Sequence, residues 1–221
     1  MRLAAIDSHT GGQPTRTIVD GIPDLGPVSA ARARELLRRD HDHIRRLAVL
    51  EPHAHPAVLA VAVLPPATPA SERAIVFMDA AGYPDMCGHA TIGAATTLVE
   101  TGRVRVSGGR SSFTLDTPAG AITVRVELEG GHVSAVSLVN QPAFRLGTVS
   151  IEAPTGETRV AIAYGGQWYA FADAAAFGLS ITPDSVPDLI RTASVVRSAI
   201  AHAATFEDPR TGQSVVVENV M

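Results

Sequence analysis

The sequence has one cysteine, few aromatic residues and no long hydrophobic run. Cys87 is the only cysteine among 221 residues, so no disulfide can form within the chain and we expect a reducing, cytoplasmic location. No apolar run is long enough to span a bilayer, and the first residues lack the apolar core of a signal peptide. Aromatic residues make up 5% of the chain, so the core must consist mainly of Val, Ala, Leu and Ile.

The sequence also lacks an excess of basic residues. Charged residues make up 18% of the chain, and the net charge is −4. Proteins that bind nucleic acid usually carry a basic stripe, so we expect neither a nucleic-acid nor a membrane partner. A hydrophobic content of 46% over 221 residues is enough to build one large domain or two small lobes.

The single cysteine lies between a turn-rich approach at 79–85 and a run at 90–99 that favours a helix. A thiol at the beginning of a helix lies where free backbone N–H groups point outward and the helix dipole favours negative charge. Such a position stabilises a thiolate and can hold an anionic ligand. The alternative is that Cys87 is a small buried hydrophobic residue, which is the commoner role of a lone cysteine.

Apolar periodicity predicts helices and strands along the whole chain. Residues 3–7 and 16–19 favour strands separated by a glycine-rich loop, and residues 30–47 favour a helix that begins after Ser29. Residues 47–50, 58–64 and 73–78 favour strands, the last of which leads to the cysteine segment. After Gly102 the pattern indicates a β-meander, then a second long helix at 184–203 and a final strand at 214–220.

Two alternating pairs of histidines are candidates for a metal site. Within one helix, His41 and His43 point to different faces. His53 and His55 share a face only if the chain is extended there, and no third ligand follows nearby. We therefore expect polar surface at both places and no metal site.

Short segments spread along the chain resemble the proline racemase family in their order and spacing. They include Ile-Asp-Ser-His-Thr-Gly-Gly at 6–12, Met-Cys-Gly-His at 86–89 and Leu-Asp-Thr-Pro-Ala-Gly at 115–120. Further matches lie at 14–16, 41–46, 50–52, 77–79, 82–83, 91–93, 165–166, 178–179 and 218–220. The chain departs from the family pattern at His53 and Ala54, where the family commonly has Arg and Gly, and at Ala90, where it commonly has Gly.

The resemblance implies an α+β fold of the diaminopimelate epimerase type, in which two lobes each wrap β-strands around a central helix. We expect a first lobe at 1–125, which carries the Cys87 motif, and a second lobe at 126–221. In the family a second motif, Asp-x-Ser-Pro-Cys-Gly-Thr-Gly-Thr, follows the strand that corresponds to 218–220. This motif is absent from the 221 residues, so we expect the second lobe and the return to the first to be truncated.

The resemblance also implies a cofactor-independent isomerase that inverts the α-carbon of proline or 4-hydroxyproline. Family members use two cysteines, one on each face of the α-carbon, as acid and base. By this match Cys87 is one acid/base, and Gly88 and His89 contact the substrate carboxylate. The expected partner is a small amino-acid substrate, with a homodimer as the assembly, and no cofactor or metal is expected.

Two alternatives stay open beside the racemase interpretation. The first is a trans-3-hydroxy-L-proline dehydratase of the same family, which needs only one base and can replace the second cysteine. The second is a non-catalytic remnant in which Cys87 is unreactive. The identity of the substrate is open as well. The segment 7–16 is more similar to hydroxyproline epimerases, whereas the segments 77–79 and 117–120 are more similar to proline racemases.

Overall fold

The computed structural model describes residues 2–221, apart from the side chain of Arg110. The chain forms two units, Met1–Gln141 and Pro142–Met221. Each unit contains one sheet and at least one long helix, so the fold class is α+β, as the resemblance implied. The boundary expected after residue 125 falls inside a strand that pairs with a neighbour on both sides, and for this reason the first unit continues to Gln141.

The first unit contains a seven-stranded mixed sheet whose strands lie in chain order. They are β1 (Ala4–Thr10), β2 (Gln13–Asp20), β3 (Leu59–Leu64), β4 (Arg73–Met78), β5 (Arg110–Thr117), β6 (Gly120–Glu129) and β7 (His132–Val139). β2 pairs in parallel with β3, and β4 with β5, whereas the other neighbours are antiparallel. β1 is longer than expected, since Ser8 to Thr10 continue the strand and only Gly11 and Gly12 form the turn.

Three helices belong to the first unit: α1 (Ala30–Asp40), α2 (Asp42–Val49) and α3 (Gly88–Glu100). Ser29 caps α1 as expected, because its Oγ accepts a hydrogen bond from the N–H of Arg32. The single helix expected at 30–47 is broken at His41, whose backbone (φ −135°, ψ 24°) ends α1 and begins α2. The strand expected at 47–50 is also wrong, since α2 continues through Val49 and buries that residue.

The sheet is covered on both faces, and β4 shows why its sequence is apolar throughout. Successive residues of a strand point to opposite faces. Ile75 and Phe77 pack in the core around α3, whereas Val76 and Met78 pack in the core around α1 and α2. All four side chains are fully buried, as is typical of a strand with both faces covered.

Helix α3 is enclosed by the sheet, which curls around it. The helix contacts β1 and β2 at one end of the strand order and β7 at the other. Gly93 makes the close approach possible, because a Cβ atom there would lie 3.0 Å from Ser8 Oγ and 3.1 Å from the side chain of Thr15. At the far end of α3, Glu100 Oε1 accepts a 2.6 Å hydrogen bond from the N–H of Val133 in β7.

The second unit contains a four-stranded sheet in the order β11-β10-β9-β8. Its strands and α-helix are β8 (Phe144–Ala153), β9 (Gly156–Tyr164), β10 (Trp168–Phe171), α4 (Val186–Ala203) and β11 (Asn219–Val220), with two short 3-10 helices at Ala174–Phe177 and Pro183–Ser185. Val196 and Ile200 of α4 pack against Val160 and Ile162 of β9 in one core. The strand expected at 214–220 is limited to the two residues of β11, because the N–H of Val215 bonds to the Phe206 carbonyl instead of to a sheet neighbour.

None of the helices found in residues 2–221 combines the length and the apolar character that crossing a membrane requires.

The burial of the sheet face covered by α1 and α2 can be tested with two valines that differ mainly in burial. Val76 in β4 is fully buried and Val139 in β7 is 51% exposed. We expect Val76→Ala to lower the free energy of unfolding by about 2 kcal/mol, because it removes two methyl groups and leaves a cavity. Val139→Ala should cost less than about 1 kcal/mol. Urea unfolding followed by circular dichroism measures both, and equal losses would contradict the described burial of Val76.

Candidate active site

Cys87 is the N-cap residue of α3, with an extended backbone (φ −147°, ψ 117°). Its carbonyl accepts hydrogen bonds from the N–H of Thr91 at 3.0 Å and from Thr91 Oγ1 at 2.7 Å. The first N–H groups of a helix have no acceptor within it. Those of His89 and Ala90 act on the thiol, and that of Gly88 likewise has no acceptor within the helix.

The thiol of Cys87 lies against the imidazole of His89. The distance between Sγ and Nδ1 is 3.2 Å. The other ring nitrogen, Nε2, is buried, and the Pro14 carbonyl acts on the imidazole. Thr10 Oγ1 donates a 3.0 Å hydrogen bond to the carbonyl of His89, which ties the beginning of α3 to the end of β1. Cys87, which is predicted to act as acid/base, is thus hydrogen-bonded to His89, which is predicted to contact the substrate.

Burial raises the pKa of the Cys87 thiol above its ordinary value. The N–H groups of Ala90 and His89 lower this pKa, and the Asp79 carboxylate raises it further. The sequence predicts a thiolate stabilised by the helix N-terminus, but in the structure the loss of solvation outweighs that effect. Burial also lowers the pKa of His89, against a smaller opposing effect of the Pro14 carbonyl. At neutral pH the pair therefore consists of a protonated thiol and a neutral imidazole.

The loop that leads to Cys87 begins in a turn built around Asp79. Asp79 Oδ1 accepts hydrogen bonds from the N–H groups of Ala81 at 2.8 Å and Gly82 at 2.7 Å. Arg45 of α2 donates from Nη1 to the carbonyls of Asp79 and Ala80, both at 3.0 Å. The turn is consequently held from inside by the Asp79 carboxylate and from outside by a guanidinium group.

The loop ends in a second set of contacts. The Asp85 carboxylate pairs with Arg34 of α1, and the Asp85 carbonyl accepts a 3.1 Å hydrogen bond from the N–H of Ala119. Met86 is 2% exposed and packs in the core around α3. The segment before the thiol is thus fixed at both ends.

The sequence alone assigns no role to Arg34, Arg45 or Asp79. One local signal was available, because Asp42 and Arg45 have the i,i+3 spacing of a helical ion pair. The hydrogen bonds from Arg45 to Asp79 and Ala80 join residues 34 and 35 positions apart. No local pattern can predict such contacts, since they depend on how α2 packs beside the loop.

The described residues form no cluster of three or more His, Cys, Asp or Glu side chains that could hold a metal ion. His41 and His43 do approach each other, edge to face, with ring centroids 6.0 Å apart. They are neighbours because His41 lies between two helices instead of inside one, contrary to the geometry expected from the sequence.

The proline racemase family model matches residues 5–221 of the chain. A 4-hydroxyproline 2-epimerase from Streptosporangium roseum is 39% identical over 178 residues, which are 79% of this chain and 53% of the relative. A proline racemase from Clostridioides difficile is 34% identical over 220 residues, which are 99% of this chain and 66% of the relative. The chain spans about half to two thirds of the length of these curated relatives.

A solved structure has a similar fold. The hydroxyproline epimerase from Agrobacterium vitis, determined with bound trans-4-hydroxy-L-proline, aligns with a TM-score of 0.87 at 24% identity. The alignment covers 97% of this chain and 64% of that one. The likeness supports the α+β assignment.

The electrostatic effect of Asp79 on Cys87 gives a test of the site. In Asp79→Asn the amide oxygen can still accept the N–H groups of Ala81 and Gly82, but the negative charge is lost. We expect the thiol pKa to fall, so alkylation by iodoacetamide should be faster at neutral pH and reach its midpoint at lower pH.

The matched control for this variant is Asp24→Asn. Asp24 Oδ1 also accepts a backbone N–H, that of Gly26 at 2.9 Å, and Asp24 is not among the groups that affect the thiol pKa. Rates of alkylation between pH 6 and 11 should be unchanged in this control. A thiol profile that is the same in both variants would show that Asp79 does not act on Cys87.

Proposed function

The chain belongs to the proline racemase family, and from this premise we propose that it supplies one acid/base group of a cofactor-independent racemase or epimerase. The observation that supports the proposal is the thiol of Cys87 at the N-terminus of α3, 3.2 Å from the imidazole of His89. The names of the relatives from Streptosporangium roseum and Clostridioides difficile support 4-hydroxyproline or proline as the substrate.

In the proposed reaction, Cys87 exchanges a proton with the substrate α-carbon on one face. The α-proton of an amino acid is weakly acidic, so the carboxylate must be held and the developing charge stabilised while a base acts. The N–H groups of Gly88 and His89 would donate hydrogen bonds to that carboxylate at the positive end of the helix dipole. Both groups are free of intrahelical acceptors because of their position in the first turn.

The raised pKa of Cys87 bears on the direction of proton transfer. In the resting state the thiol is protonated, so Cys87 is ready to give a proton to the α-carbon. In the reverse direction its thiolate, once formed, is a stronger base than an unperturbed cysteine thiolate. The neutral imidazole of His89 can accept a hydrogen bond from the thiol in the resting state.

Inversion needs a second acid/base on the opposite face of the α-carbon, because a group that only removes and returns a proton on one face regenerates the same isomer. In the two-thiol mechanism that group is a cysteine. Cys87 is the only cysteine in residues 1–221, so the second thiol would have to come from outside these residues. This requirement is part of the proposal.

The requirement predicts different outcomes for exchange and inversion. We expect the polypeptide 1–221, incubated with L-proline or trans-4-hydroxy-L-proline in D₂O, to produce little or no inverted isomer by chiral chromatography. Slow loss of the α-proton signal by NMR is compatible with the proposal and should disappear in Cys87→Ala. Inversion at a normal enzymatic rate, on the order of 1–1000 per second, would refute the need for a second thiol.

A dehydratase is the second candidate, because one thiol is enough for it. Removal of the α-proton and loss of a 3-hydroxyl group as water requires one base, which Cys87 could supply. The same assay with trans-3-hydroxy-L-proline distinguishes the two activities. A cyclic imine product that depends on Cys87 would favour the dehydratase over the racemase.

Ligand protection of the thiol separates both enzyme proposals from a non-catalytic remnant. Pyrrole-2-carboxylate is a planar mimic of deprotonated proline, and we expect it to slow alkylation of Cys87 because its carboxylate binds the N–H groups of the first turn of α3. Pyrrole-2-carboxamide is the matched neutral control and should protect much less. Since the chain has one cysteine, mass spectrometry of the alkylated protein reports on this site alone. Equal rates with and without the carboxylate would support the remnant.

A further inference from the structure

Arg45 connects the α1–α2 layer to the loop that carries the thiol. We propose that Arg45 is a positioning residue for Cys87: from α2 it holds the carbonyls of Asp79 and Ala80, and so fixes the turn from which the chain runs to the thiol. The inference rests on the proposed acid/base role of Cys87 and names a residue on which that role depends.

The guanidinium group of Arg45 makes directed contacts on several sides. Nη1 donates to the carbonyls of Asp79 and Ala80 at 3.0 Å. Nε and Nη2 donate to the two carboxylate oxygens of Asp42 at 2.7 and 3.0 Å. The central carbon lies 5.8 Å from the centre of the Tyr83 ring, and the side chain is 14% exposed. Only a planar group with several donors can make these contacts together, so a lysine cannot replace it.

The turn held by Arg45 is also closed by hydrogen bonds of its own. The Asp79 carboxylate accepts two N–H groups of the turn, and the N–H of Asp79 donates to the carbonyl of Gly82 at 2.9 Å. The backbone and the carboxylate of Asp79 therefore move together. When Arg45 fixes the two carbonyls, it also fixes the position of a negative charge that acts on the thiol.

The charged and titratable groups around Cys87 come from three elements. His89 faces the thiol from α3, and Asp79 acts on it from the loop. Behind the turn, Asp42 and Arg45 of α2 form an ion pair next to Tyr83. Arg45 therefore reaches the thiol through the turn and not by direct contact.

If Arg45 only stabilised the packing of α2, its loss would change the free energy of unfolding and leave the thiol unchanged. If it positions the turn, its loss lets the Asp79 carboxylate move and water reach the sulfur. Water restores solvation of the thiolate, and removal of a nearby negative charge lowers the cost of a second one. Both effects lower the thiol pKa, so the pH profile of alkylation distinguishes the two roles.

The test is Arg45→Lys, which keeps the positive charge and removes the planar guanidinium group with its several donors. We expect alkylation of Cys87 by iodoacetamide at pH 7.5 to become about three to ten times faster, with the midpoint of the pH profile lower, because a fall of one pKa unit raises the thiolate fraction about tenfold. The matched control is Arg39→Lys. Arg39 donates in the same two-point manner to Asp40 at 2.8 and 2.7 Å. Among the described residues it has no hydrogen bond to the loop, so the alkylation profile of Arg39→Lys should match that of the unsubstituted protein.

A second pair of variants, Asp42→Asn and Asp40→Asn, decides the matter if Arg45→Lys does not fold. Asp42→Asn weakens the ion pair that orients Arg45, and Asp42 is not among the charges that act on the thiol directly. We expect a smaller shift in the same direction, with no shift in Asp40→Asn. Unchanged thiol profiles in folded Arg45→Lys and Asp42→Asn would overturn the proposal. The readout is alkylation and not turnover, so this outcome is independent of whether the racemase assay succeeds.

Discussion

The position of Cys87 depends on the enclosure of α3 by the first sheet. The helix can approach β1 and β2 because its inward residues are small, with Ala90, Ala94 and Ala95 fully buried and Gly93 directly against Ser8 and Thr15. Close packing of this kind leaves little freedom for the helix to shift. Its first turn is further tied to β1 through Thr10, so the thiol and the free N–H groups occupy one defined place.

Enclosure also determines the chemistry of the thiol. A helix N-terminus favours an anion, but the packing that holds α3 in place removes water from the sulfur, and the Asp79 carboxylate opposes a second negative charge. The result is a protonated thiol beside a neutral imidazole. In the proposed role, Cys87 would both give and take a proton at a carbon atom, and for such a group this balance matters more than maximal stabilisation of either form.

The second covered face of the sheet contributes to the site from a distance. Helices α1 and α2 pack on the face opposite to α3, yet Arg34 and Arg45 extend from them to the two ends of the loop before Cys87. The helices that cover one face of the sheet thereby hold the loop before Cys87, and the helix that begins at Cys87 covers the other face. Packing and the proposed function are linked here through two guanidinium groups and a short loop.

The sequence by itself determined the local features of this protein. The continuous apolar run of β4, the cap at Ser29 and the place of Cys87 at the beginning of a helix all follow from residue pattern and short spacing. Only the tertiary structure decided the break at His41, the contact of Arg45 with Asp79 and the raised pKa of the thiol. Those features arise from groups far apart in the chain that burial brings together, and burial is a property of the packed fold that local residue patterns do not contain.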